Sequence, residues 1–302
     1  MSGRPSVPCP AEHRTPDVRS TASRSAGPPT TGPRPPARSD SQRRQESRQE
    51  PRQESRQEPP PPSERRSRHR HPLDEPVRSA LGGPHAHFAE ARGRVLRYPS
   101  EVAFWLALPD DPGEQDWADA AALAGPVGPL GLVGYTGPAP AGWEVTFRAD
   151  GVQLVDAGVA AAPDEEAVRL GPADVPEMLD LVERTQPGPF LTRTVEMGTY
   201  LGIRREGALV AMAGERLRPV GWSEISAVCT DPRFRGQGLA ARLVLAVAHD
   251  IRARGETPFL HAAAVNTNAI RLYEALGFRL RRKTAFLAVR VPETESQAAA
   301  HG

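Results

Sequence analysis

The sequence has little cysteine, almost no lysine and no long apolar run. Cys9 and Cys229 are the only cysteines among 302 residues. Two thiols cannot build a disulfide framework or a cysteine-rich zinc site, and they fit a reducing compartment, so a cytoplasmic protein without a structural metal is expected. No stretch of 18 apolar residues occurs, so no membrane span is expected. The first residues lack the apolar segment of a secretory signal. Lys283 is the only lysine; arginine supplies every other basic side chain. That bias, with abundant Ala and Gly, reflects a GC-rich coding sequence more than a physical need.

Aromatic residues are also missing from a whole region, the first being Phe88. Residues 1–84 hold 17 of the 33 prolines, and 16 Arg against 10 Asp and Glu. The other 218 residues carry 22 basic and 27 acidic groups, so a net charge of +1 combines a basic tail with a mildly acidic body. A segment this poor in large apolar side chains cannot offset its chain entropy by burial, and 1–84 reads as a disordered tail. Within it RQESRQEP occurs twice over 44–59. Pro51 and Pro59 interrupt any helix at each period, which leaves a solvated linker. Glu neutralises much of its Arg, so no specific nucleic-acid partner is expected. A short disordered end is expected over 294–302.

Residues 85–165 read as a smaller α+β subdomain. GRVLRY (93–98) and VAFWLAL (102–108) look like strands, and EQDWADAAALAG (114–125) like a helix ended by Gly125-Pro126. Residues 142–156 look like a hairpin turning at Asp150-Gly151. His85 and His87 have no neighbours at metal-ligand spacing and read as surface histidines.

From 166 to 293 the pattern is regular. AVRLG (167–171) reads as a strand. Pro172–Arg184 reads as a helix with Val175, Met178, Leu179 and Val182 on one side. Two strands surround Glu206-Gly207, and another spans 222–230. Gly238–Arg254 reads as a helix whose apolar face carries Leu239, Leu243, Leu245 and Val247. A strand (258–266), a helix (267–277) and a terminal strand pair (278–291) complete the order. The alternation implies an α/β (α+β) domain.

The chemically informative stretch is Val228-Cys-Thr-Asp-Pro-Arg-Phe-Arg-Gly-Gln-Gly-Leu-Ala240. A strand ends at Asp231-Pro232, and the chain enters a helix through Arg235-Gly236-Gln237-Gly238. Glycines there let the main chain approach a ligand, and the N–H groups at a helix start suit a pyrophosphate. The spacing is neither the dinucleotide fingerprint nor a phosphate loop ending in Lys-Ser/Thr. A second motif follows, Asn266-Thr-Asn-Ala-Ile-Arg-Leu-Tyr273-Glu-Ala-Leu-Gly277-Phe278.

Together these two motifs resemble the GNAT superfamily of acetyl-CoA-dependent N-acetyltransferases, most of all the subgroup with a glycine-N-acyltransferase-like C-terminal domain. The resemblance is specific over 215–291 and extends to 166–291. It implies a mixed, mostly antiparallel sheet flanked by helices, acetyl-CoA as acyl donor, an amine as acceptor, and a monomer or homodimer. It also implies site residues. Val228, Cys229 and Thr230 match the strand edge that pairs with the pantetheine arm. Arg235, Gly236, Gln237, Gly238, Leu239 and Ala240 match the pyrophosphate loop, with Arg233 beside it. Asn266 matches the asparagine that bonds the cofactor arm, and Tyr273 the tyrosine near the thioester sulfur, an acid for the leaving thiolate. Tyr273 reads otherwise as a packed aromatic on an amphipathic helix.

Direct acetyl transfer needs a proton acceptor for the amine. Glu224 is the first candidate. Strand periodicity puts it on the same face as Val228. It matches the catalytic glutamate of several members of the superfamily, and reads otherwise as a solvent-facing or salt-bridged residue. His261 is second, sharing a strand face with Phe259, and reads otherwise as a core residue. Cys229 has no His–acid pair placed by sequence, so no acyl-enzyme is expected. A protein acetyltransferase and a non-catalytic acyl-CoA-binding module stay open as alternatives.

Overall fold

A computed structural model describes residues 71–124 and 128–291. In chain order it contains α1 (Pro76–Leu81), β1 (Glu90–Arg92), β2 (Val95–Arg97), β3 (Leu106–Ala107), α2 (Glu114–Ala124), β4 (Leu130–Val133), β5 (Glu144–Asp156), β6 (Val168–Leu170), α3 (Val175–Thr185), β7 (Tyr200–Arg205), β8 (Ala208–Glu215), β9 (Trp222–Thr230), α4 (Leu239–Ala253), β10 (Thr257–Ala263), α5 (Thr267–Ala275) and β11 (Phe278–Arg290). Eight strands form one sheet in the order β4-β11-β5-β10-β9-β8-β7-β6, and β1-β2-β3 form a small second sheet. Within the large sheet only β9 and β10 run parallel. This is the expected mixed, mostly antiparallel sheet flanked by helices.

Side-chain alternation divides the large sheet into two buried faces. On one, Leu154, Val210, Ile225 and Leu260 pack against Leu243, Val247 and Ile251 of α4 and Tyr273 of α5. On the other, Leu217 and Phe259 pack against Leu73, Val77, Leu81, Tyr98 and Trp105. Residues 71–107 thus form a cap over that face. Beside the cap, α3 covers Tyr200, Met212 and Cys229, with Met178 and Leu181 fully buried. The β7–β8 turn is made as expected: Glu206 and Gly207 both have left-handed φ (52° and 82°), the signature of a tight hairpin.

Several expected boundaries move. Residues 71–84 fall inside the folded unit, where Leu73 is 0% exposed and Leu81 2%; three or four apolar side chains suffice to anchor a segment whose average composition is polar. Residues 1–70 and 292–302 lie outside the described residues. The division at residue 165 runs through a continuous sheet, because β4 and β5 pair with β11, and β5 also pairs with β10.

The expected hairpin over 142–156 is one strand, β5. Its Asp150 and Gly151 lie opposite Ala285 and Thr284 of β11. Gly151 serves a close approach rather than a turn: a Cβ there would sit 2.4 Å from the Phe286 ring. The expected terminal pair over 278–291 is likewise one strand, bent by an irregularity between Leu280 and Arg282. The strand expected over 102–108 shrinks to Leu106–Ala107, and β4 is an unforeseen edge strand. His85 is buried, not at the surface: its ring bonds the Tyr98 hydroxyl (2.9 Å) and the Met197 carbonyl (3.0 Å). Burial lowers its pKa to about 4.

Candidate active site

The site is organised by a parting of strands. β9 and β10 pair only over Trp222↔Thr257, Ser223↔Pro258 and Glu224↔Phe259. Beyond that, β10 stays bonded to β5 as far as Ala263↔Gly151, and β9 to β8 as far as Thr230↔Ala211. Between Ser226 and Cys229 the chain of β9 takes three steps where β8 takes two, from Gly214 to Met212. Ala227, at φ 52°, absorbs the extra residue. Such a bulge bends its strand and re-aims the side chains beyond it. The expected common face of Glu224 and Val228 is therefore lost. Val228 packs with the α4 cluster, whereas Glu224 points to the cap.

The loop after β9 is anchored by Asp231. Its carboxylate accepts from the Arg233 main-chain N–H (2.9 Å) and pairs with Arg184 and Arg233. A 3₁₀ turn over Pro232–Phe234 leads to Gly236 and Gly238, both left-handed at φ 78° and 74°. No side chain caps α4. The N–H groups of Gly236, Gln237, Gly238, Leu239 and Ala240 have no hydrogen-bond acceptor among the described residues. Unbonded donors thus gather at the positive end of a 15-residue helix, and this arrangement suits a phosphate group.

Other expected cofactor residues have mixed placements. Arg235 is exposed, with its Nε 3.4 Å from the Thr230 carbonyl. Arg233 is occupied by Asp231 and lies over the Phe234 ring. Leu239 belongs to the core. The buried Thr230 Oγ1 has no partner among the described residues. Asn266 caps α5, its side-chain oxygen accepting from Ala269 N–H (3.2 Å), which leaves its amide nitrogen free to donate. Cys229 is buried in the α3 cluster, and burial pushes its thiol up to about 11, unsuited to a nucleophile at neutral pH.

Tyr273 is buried on α5 against Phe278, its ring centroid 6.3 Å away. Burial first, and the Cys229 sulfur second, push its hydroxyl up to about 12. Among the described residues that hydroxyl has no hydrogen-bond partner, so it is held as a neutral donor beside the parted strands.

Glu224 is 0% exposed and fully engaged. Its Oε1 accepts from Arg216 Nη2 (2.7 Å) and His261 Nδ1 (2.8 Å). Its Oε2 accepts from Arg216 Nε (3.0 Å) and the Leu217 N–H (3.3 Å). Burial alone would raise its pKa; the Arg216 charge, His261 and their hydrogen bonds outweigh it and hold the carboxyl at about 2. The two expected base candidates are therefore in direct contact. Arg216 also lies over Trp105 of the cap, 5.1 Å from its ring.

A solved GNAT-family structure from Novosphingobium aromaticivorans DSM 12444 is 40% identical, with a TM-score of 0.68, over 74% of this chain and 100% of its own. The chain belongs to the GNAT family. The family described as FR47-like protein matches residues 200–287. Mycothiol acetyltransferase of Thermobispora bispora is 34% identical over 119 residues, which span 38% of that protein's length. A GCN5-related N-acetyltransferase structure from Kribbella flavida is 16% identical, with a TM-score of 0.49.

Three members of the cap-side cluster in this GNAT chain carried no clear sequence signal: Arg216, Gln153 and Arg281. Arg216 stands eight residues before Glu224, a spacing that becomes meaningful only once β8 and β9 pair. The other two come from distant strands. Among the described residues no group of His, Cys, Asp and Glu is arranged to hold a metal ion, and no helix is long and apolar enough to cross a membrane.

Proposed function

We propose that this GNAT chain moves the acetyl group of acetyl-CoA directly to a primary amine of a small molecule, amino acid or peptide. The observation that supports it most is the conjunction of the parted β9 and β10 with the unbonded N–H groups of Gly236–Ala240. The loop Arg235–Ala240 would take the pyrophosphate, and the free edge at Val228–Thr230 the pantetheine arm, with Asn266 donating from its amide. Arg233, held by Asp231, would add positive potential. Bound acetyl-CoA supplies the activated thioester.

Attack needs a neutral amine. Glu224, acting with His261, is the proposed proton acceptor. A main-chain N–H near Val228 would stabilise the oxyanion, and Tyr273 would donate to the leaving thiolate. The glycine-N-acyltransferase-like subgroup remains part of this reading through the Asn266–Phe278 motif.

One observation favours a second reading, a non-catalytic acyl-CoA-binding module: Glu224 is sealed under the cap with every acceptor direction used. Calorimetry with acetyl-CoA, followed by transfer of labelled acetyl groups to amino acids, polyamines, peptide N-termini and lysine peptides, separates the cases. Failure to bind acetyl-CoA overturns both. Binding without transfer to any amine class favours the second, and the acceptor class that is labelled separates small-molecule from protein acetylation.

A further inference from the structure

Beyond Glu224, the polar chain continues through residues that no motif marks. His261 Nε2 lies 3.0 Å from Gln153 Nε2. Gln153 Oε1 lies 2.8 Å from Arg281 Nη1, and Arg281 Nη2 lies 2.7 Å from Asp74. Gln153 Nε2 is also 2.9 Å from the Leu73 carbonyl. Gln153 is 2% exposed and the His261 side chain 1% exposed. No water-filled space is needed to complete this chain, so the proton positions follow from donor and acceptor chemistry alone.

A guanidinium can only donate, so the Gln153 atom facing Arg281 is the oxygen. The atom facing His261 is then the amide nitrogen, and its second hydrogen meets the Leu73 carbonyl. An amide nitrogen can only donate, so His261 Nε2 must present a bare lone pair. In the neutral ring the hydrogen sits on Nδ1, pointing at Glu224 Oε1. Each assignment fixes the next, which is how tautomers are deduced where hydrogens are not seen.

We infer that Gln153 is a positioning residue of this site: with its oxygen taken by Arg281, its amide nitrogen fixes His261 as the Nδ1–H tautomer and closes Nε2 to a further proton. For Nε2 to receive the proton of an attacking amine, the Gln153 amide must turn over. That motion breaks the bonds to Arg281 and to Leu73. Both Leu73 and Asp74, the partner of Arg281, belong to the cap, so the cap controls whether the Glu224–His261 pair can take a proton.

The charged and titratable groups of the network come from every neighbouring element: Glu224 on β9 touches the ring, Arg216 after β8 and Tyr98 of the cap face Glu224, and Arg281 on β11 is joined by Asp74 and His71 of the cap. Phe259 and Phe286 close the ring edge-on. The role in transfer rests on the acetyltransferase reading above; the tautomer does not.

The test is long-range ¹H–¹⁵N correlation on the full-length chain, with the His261 ring assigned through its backbone. In the wild-type ring the hydrogen should sit on Nδ1 and not on Nε2. Gln153→Met removes the amide donor without adding charge, and the Nε2 resonance should then shift to that of a lone pair free of a hydrogen bond. Gln153→Glu should show hydrogens on both ring nitrogens. The acid limb of kcat/KM for an amine should move with the ring in Gln153→Met, with the acetyl-CoA Kd unchanged. A wild-type Nε2–H ring, or a methionine variant without a shift, overturns the tautomer. A ring that shifts while the acid limb stays overturns the positioning role. A wild-type chain that shows the Nδ1–H ring but transfers no acetyl group overturns the acetyltransferase reading and leaves the tautomer standing.

Discussion

On the α4 face of the sheet, the candidate chemistry lies in the main chain: left-handed glycines, a helix start and N–H groups without acceptors. On the cap face it lies in side chains, with Glu224, Arg216, His261, Gln153 and Arg281 drawn from five separate segments. The first arrangement is local, and a short motif is enough to make it. The second exists only after β5, β9, β10 and β11 have assembled and the cap has closed over them. A ligand site made from backbone tolerates changes around it, whereas a buried network of charges fails when one member is lost.

Truncation tests the cap face most severely. Deleting residues 1–84 removes Leu73, Val77 and Leu81, each worth about 1.5–3 kcal/mol when buried. It also strips Asp74 from Arg281. Relative to deletion of 1–70, denaturant titration should show a loss of about 5 kcal/mol or more, with any folded remainder still binding acetyl-CoA. Equal stability of the two truncations would mean that the cap adds nothing to the network.

Glu224→Gln comes next. It leaves Arg216 buried without a counter-charge, a change that costs about 3–5 kcal/mol in such pairs. Turnover should fall about 10²–10⁴-fold, the range for a lost general base, and the loss should shrink at high pH, where more amine is neutral. The wild-type pH dependence follows from the same residue. Its carboxyl, held at about 2 against an ordinary 4.5, stabilises the fold fully above 4.5. That contribution, about 3 kcal/mol, is lost as pH falls from 4.5 towards 2. Acid titration of Glu224→Gln should lack this component.

On the other face, Gly238→Asp puts a side chain and a negative charge at the helix start, in a left-handed conformation. Space is open there, with nothing within 4 Å of the added Cβ. Stability should therefore drop by only about 1–2 kcal/mol of backbone strain. Acetyl-CoA affinity should fall at least about 100-fold, close to 3 kcal/mol. Unchanged calorimetric binding in the folded variant would remove the loop from the donor site. The smallest effect belongs to Tyr273→Phe. Its hydroxyl has no hydrogen-bond partner among the described residues, so stability should change by less than about 0.5 kcal/mol. Turnover should fall about tenfold, less so at acid pH, where the thiolate needs less help. A variant with full activity at every pH would leave Tyr273 as packing alone.

The same contrast governs what could be read before folding. Gly236, Gly238 and the apolar spacing of α4 signal the loop and its helix because their cause lies within one turn of chain. Tight turns at Glu206-Gly207 were visible for the same reason. Asp150-Gly151 looked identical, yet two partner strands and the Phe286 ring hold it extended. The bulge at Ala227 left no trace in composition, and it reversed the face of Val228. Leu73 and Leu81 sit in a stretch that resembles its polar neighbours, and average composition hides two buried anchors there. His261 lacked a sequence neighbour to mark it, because its partner is 37 residues away across a parallel seam.

That seam has a mechanical meaning. Three residue pairs join the β4-β11-β5-β10 part of the sheet to the β9-β8-β7-β6 part, with α4 laid beneath. The sheet is a plate with a slit cut most of the way through it, and Glu224↔Phe259 is the tip of the slit. Whatever occupies the slit sets its opening angle, and a close-packed interior passes that angle on with little slack. The buried Glu224 carboxylate stands on the last paired residue of β9, the point of the strand that a change in the width of the gap would reach first.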